Sequence, residues 1–182
     1  MPFLDEVAYQ WYESFDSLGE LLERPNPTYV LDQLEKLLRH LMLDCQWLPN
    51  RIHLFGYGQG GSVAAELGLR WQRGAEETRL GSIVTVAGPL LSYPTPSRRC
   101  PTPVLAFHRP VSETTKLSSG DLQAFRKGYE GVQEVRGTKG DGMPRSKEDW
   151  EPIMRFWNVN LSKRNSPGLY EVIGAFDSRI NT

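Results

Sequence analysis

The 182-residue sequence has only two cysteines, Cys45 and Cys100, and neither lies in a CxxC pair or beside clustered histidines. A disulfide framework is excluded, and no zinc-ligand spacing is present, so neither metal nor cofactor is expected. No apolar run approaches the ~20 residues that span a bilayer. The opening Met1-Pro2-Phe3-Leu4-Asp5-Glu6 carries acid where a secretory leader carries base. Lysine and arginine number 21 against 22 aspartates and glutamates, so there is no basic surplus for nucleic acid or an anionic membrane. Histidine is scarce too: His40, His53 and His108, and none beyond. A cytoplasmic, metal-free protein is the expectation.

What is present is an ordinary globular mix, 39% hydrophobic and 24% charged, long enough for one domain with a core. An aromatic-rich opening (Tyr9, Trp11, Tyr12, Phe15) ends at Pro25-Asn26-Pro27. Asn26 reads as a helix N-cap with Pro27 at the first helical position. Val30, Leu31, Leu34, Leu37, Leu38 and Leu41 then recur at helical spacing, predicting a helix over 28–43 with Glu35 facing Arg39. A short buried strand follows at 51–56, with further strands at 82–87, 103–108 and 132–135. Between them, helices are predicted from Ser62 and over 121–128. Ser146 and Asp149 form a capping box for a last helix, with Trp150, Ile153, Met154 and Trp157 on one face. Strands alternating with helices give an α/β fold, a mostly parallel sheet with helices on both faces. The domain is expected over 1–161, with a tail over 162–182.

Gly56-Tyr57-Gly58-Gln59-Gly60-Gly61 joins the first strand to its helix, where parallel sheets bind ligands. Gly56, Gly58 and Gly61 satisfy G-x-G-x-x-G, so nucleotide binding is one alternative. A ribose-binding acid belongs at the end of the next strand, but that strand ends Val86-Ala87-Gly88, and Glu76 and Glu77 precede it. The other alternative is a nucleophile elbow, G-x-S-x-G.

The segment resembles the elbow G-F-S-Q-G-G of acyl-protein thioesterases and the related phospholipase/carboxylesterase family. The Trp11-Tyr12 segment, the long amphipathic helix and Pro49-Asn50-Arg51-Ile52 precede it as in that family. A strand ending in His108 and a final helix around 153–157 follow in the family's order. The resemblance implies the C-terminal part of an α/β-hydrolase fold.

By the same resemblance, the triad is degenerate. Gly58 stands where the nucleophile belongs, so there is no Oγ to attack an acyl carbon. The acid position falls at Ser112, beside Glu113, and the base position at Gly142 or Met143. Gln59 supplies one oxyanion-like backbone N–H, and its partner donor belongs to an earlier strand absent here. Tyr57, His108 and Asp141 are expected around the crevice; His40 and His53 read as structural. Ser62 lies a turn past the elbow, at a helix-start position, and neither it nor Ser146 has a base nearby.

The family's additional strands precede the first helix, and one of them lies beside the elbow strand. The expectation is therefore a truncated product, or a sheet edge completed by a protein partner or the chain's own N-terminal segment. Three functions remain open. One is a non-catalytic scaffold binding a small acyl-type ligand or a partner. The others are an ester or thioester hydrolase with a non-standard site, and a nucleotide binder.

Overall fold

The structure is a computed structural model that describes residues 9–23, 25–74, 79–95, 98–111, 115–137 and 140–161. The first helix, α1, covers Thr28–Leu43, the span that the leucine spacing predicts. Leu31 and Leu38 are buried, with Leu34 and Leu41 beside them, and Glu35 pairs with Arg39 at 2.7 Å. The entry differs by one residue from the expectation. Pro27 occupies the N-cap, while Asn26 Oδ1 accepts from the Thr28 N–H at 3.0 Å. The asparagine still satisfies an orphan donor, but from one position further out.

Four strands follow: β1 (His53–Tyr57), β2 (Ser82–Val86), β3 (Val104–His108) and β4 (Val132–Arg136). They are all parallel and lie in chain order, β1-β2-β3-β4. The expected strand at 51–56 is shifted to His53–Tyr57, because Pro49–Arg51 forms a 3₁₀ turn. The other helices are α2 (Gln59–Gly74), α3 (Ser119–Gly128) and α4 (Lys147–Asn160).

The two-residue period of the strands divides the core into two faces. Ile83, Val104 and Ala106 pack with Ala65 and Leu69 of α2 and Leu122 and Phe125 of α3. Val84, Val86, Leu105 and Phe107 point the other way, onto Ile153 and Phe156 of α4. Each wholly buried Val, Leu, Ile or Phe contributes about 1.5–3 kcal/mol. α1 adds a further cluster against α2, Ile52 and Leu80. On α4, Met154 is exposed, so the buried face runs through Asp149, Ile153 and Phe156 rather than through Met154.

β1 pairs with β2 on one side, and no described strand pairs with the other. The Ile52 carbonyl and the Gly58 N–H both bond toward β2, to Gly81 and Val86. Alternate residues of a parallel strand bond to opposite sides. His53, Phe55 and Tyr57 therefore present their N–H and C=O groups to the side that no described strand pairs. Beside that edge lies an apolar groove of about 730 Å³ between α1, α2 and β1, lined by Trp11, Leu37, Leu41, Trp47 and Phe55 among others.

Candidate functional site

β1 ends at Tyr57, α2 begins at Gln59, and Gly58 alone makes the corner. Its φ is +53°, the left-handed region that costs any residue with a Cβ roughly 1–2 kcal/mol. The tightness comes from the neighbours. A Cβ on Gly56 would lie 2.2 Å from the Gly60 oxygen, and one on Gly61 2.4 Å from Thr85 Oγ1. One on Gly88, just past β2, would meet the Ser62 nitrogen at 2.4 Å. At Gly58 itself a Cβ would meet nothing within 4 Å. The corner thus has the backbone of an elbow and room for a side chain at its apex, but no side chain there.

Gln59, as the first residue of α2, has a backbone N–H with no acceptor inside the helix. Its side chain holds the N-terminal segment over the corner. Oε1 accepts from the Trp11 N–H at 2.9 Å, and Nε2 donates to Ser14 Oγ at 2.8 Å and to the Tyr12 carbonyl at 3.3 Å. The Trp11 ring lies against Gly60, its Nε1 3.3 Å from where a Cβ would stand. Ser62 is completely buried within α2.

The loop at the expected base position does reach the corner. A Cβ on Gly142 would lie 3.6 Å from the Tyr57 hydroxyl, and Gly142 has φ +77°. Met143 packs against the α4 side of the core. Asp141 Oδ1 accepts from Thr115 Oγ1 at 3.1 Å and from the Gly142 N–H at 2.8 Å, so this carboxylate ties the loop to the segment after β3. Ser112 and Glu113, at the expected acid position, lie outside the described residues, as do Glu76 and Glu77.

His108 is buried, with both ring nitrogens engaged. The Leu117 N–H donates to Nδ1 at 3.3 Å, which assigns the proton to Nε2, 3.1 Å from Glu134 Oε1. Arg136, then His108, hold the Glu134 carboxyl below its ordinary range. His108 pins a loop. His53 Nδ1 lies 2.8 Å from Ser82 Oγ, and burial lowers the imidazole's pKa. Ser146 caps α4 by accepting from the Asp149 N–H at 3.2 Å. The box is half made, because the Asp149 carboxylate turns inward to Arg109.

That buried pair escapes a sequence search. Arg109 Nη2 lies 2.9 Å from Asp149 Oδ2, and the same nitrogen donates to the Met143 carbonyl at 3.4 Å. Burial would raise the Asp149 carboxyl, but the guanidinium outweighs it and the net shift is downward. Arg109 thus braces the Gly142–Met143 loop from behind. Glu66 does the same beyond β2, its carboxylate accepting from the Leu91 and Ser92 N–H groups at 2.8 and 2.7 Å. Among the described residues no group of three or more His, Cys, Asp or Glu side chains is placed to hold a metal ion, and no helix is long and apolar enough to cross a membrane.

The same architecture recurs in solved hydrolases. Esterase PE8 superposes with a TM-score of 0.67 at 19% identity, covering 84% of this chain and 71% of its own. Acyl-protein thioesterase 2 of Zea mays gives 0.60 at 17%, covering 84% and 72%. A carboxylesterase of Bacillus cereus gives 0.55 at 14%, covering 73% and 61%. The chain has the α/β-hydrolase fold. A protein of Mycosarcoma maydis described as an uncharacterised hydrolase is 36% identical over 166 residues, 90% of this chain. The chain spans 62% of that relative's length. No family model matches the sequence.

Proposed function

We propose that this chain is a non-catalytic homologue of carboxylesterases and thioesterases that keeps the α/β-hydrolase fold as a binding scaffold. The observation that carries the reading is Gly58 at the corner, with φ +53° and open space where a nucleophile's side chain would stand. An acyl transfer enzyme of this type needs an oxygen there and a base within reach. Gly142 or Met143 stands where the resemblance puts the base, and His108 is committed to Leu117 and Glu134. Ser62, the alternative nucleophile a turn past the corner, is completely buried.

In this reading Tyr57 and Asp141 border a crevice for a small acyl-type ligand, and the free edge of β1 takes a strand from a protein partner. Support for the partner comes from the ladder groups of His53, Phe55 and Tyr57, which no described strand pairs, and from the apolar groove beside them. The unpaired Cys45 and Cys100 support a cytoplasmic location.

Fluorophosphonate labelling and short-chain aryl ester hydrolysis test the reading. Both are expected to be at background. Stoichiometric labelling of one side chain, or turnover abolished by Ser62→Ala, would mean an active hydrolase with a non-standard site.

A further inference from the structure

The C-terminal end of α1 carries three chemically competent side chains that the corner does not use. His40 Nδ1 lies 2.6 Å from Asp44 Oδ2, and His40 Nε2 lies 3.9 Å from Cys45 Sγ. An ionised carboxylate only accepts, so Asp44 fixes the imidazole proton on Nδ1 and leaves the Nε2 lone pair toward the thiol. The backbone sets this arrangement. The Asp44 and Cys45 N–H groups both bond to the His40 carbonyl, the Trp47 N–H bonds to the Leu41 carbonyl, and Gln46 takes φ +58°. These bonds satisfy carbonyls in the last turns of α1 and hold the following residues in place. Cys45 is exposed, whereas Cys100 is buried.

We propose that Cys45 is a base-assisted thiol that takes up low-molecular-weight disulfides. His40 Nε2 accepts the S–H proton as the Cys45 sulfur attacks one sulfur of the disulfide. The new S–S bond forms as the old one breaks, and the departing thiolate recovers the proton from the imidazolium. Cys45 is oxidised and the leaving sulfur reduced, so the small disulfide is the only oxidant. The site is independent of the corner and stands whether or not the scaffold reading does.

The full chain is incubated with oxidised glutathione at neutral pH, and adducts on Cys45 and Cys100 are followed by peptide mass mapping. Cys45 is expected to react alone, with an unmodified Cys100 reporting the intact fold in every variant. His40→Ala should slow the reaction about tenfold, below the ~10²–10⁴-fold span of general bases in closed sites. Asp44→Asn should slow it by a smaller factor. Concentrated urea should erase the differences between variants. Equal native rates for wild type and His40→Ala, or a faster Cys45 reaction in urea than in the native protein, overturn the proposal.

Discussion

Arg109 and Asp149 form an ion pair with 3% and 7% side-chain exposure, closed at 2.9 Å between the end of β3 and the first turn of α4. Removing one partner of such a pair strands a charge, at a cost of about 3–5 kcal/mol. Asp149→Ala should lose that much in urea denaturation. Replacing both residues with apolar ones of similar volume should recover most of it. The pair also predicts an acid weakness. The folded carboxyl titrates below its unfolded value of about 3.9, so its stabilisation is complete above that value and is lost as pH falls through the lower folded one. Asp149→Asn should flatten the acid limb of a stability-versus-pH curve.

Gly58→Ser tests the corner. An added Cβ meets nothing within 4 Å, so the expected cost is backbone strain of roughly 1–2 kcal/mol at φ +53°. A melting curve should show that loss, and aryl ester hydrolysis should stay at background because no base faces the new oxygen. Gly56→Ala should cost at least about 3 kcal/mol, the upper end for overpacking, since its Cβ would collide with rigid backbone at 2.2 Å.

Glu66→Ala removes the acceptor for two backbone donors in the loop after β2. A loss of about 3 kcal/mol is expected, in the range for buried donors left unsatisfied. Hydrogen exchange should speed up at Leu91 and Ser92 while β3 stays protected.

Leu37→Glu places a charge at the groove beside β1, on a side chain already half exposed. Melting should change by less than about 0.5 kcal/mol. Any self-association seen by sedimentation should decline, because charge at an open sheet edge discourages pairing.

The helices and strands were readable because their signals are local. The leucine spacing gives α1 its full extent, and runs such as Ile83-Val84 and Leu105-Ala106-Phe107 mark strands buried on both faces. Gly58 was readable because a motif places it. Arg109 was not, since its partner is forty residues away and nothing in the sequence brings them together. Asp149 looked like half of a capping box because a local bond and a distant one compete for the same carboxylate. Asp141 shows the same limit: its turn bond to Gly142 is local, but its bond to Thr115 spans 26 residues.

The sheet's neighbours in space are its neighbours in sequence, from the first strand to the fourth. Each new ribbon therefore adds to a border that already exists, and none must be threaded between two that have formed. A ribosome can release this sheet in stages, with each emerging strand docking on the one before it and α4 arriving last to seal the second side.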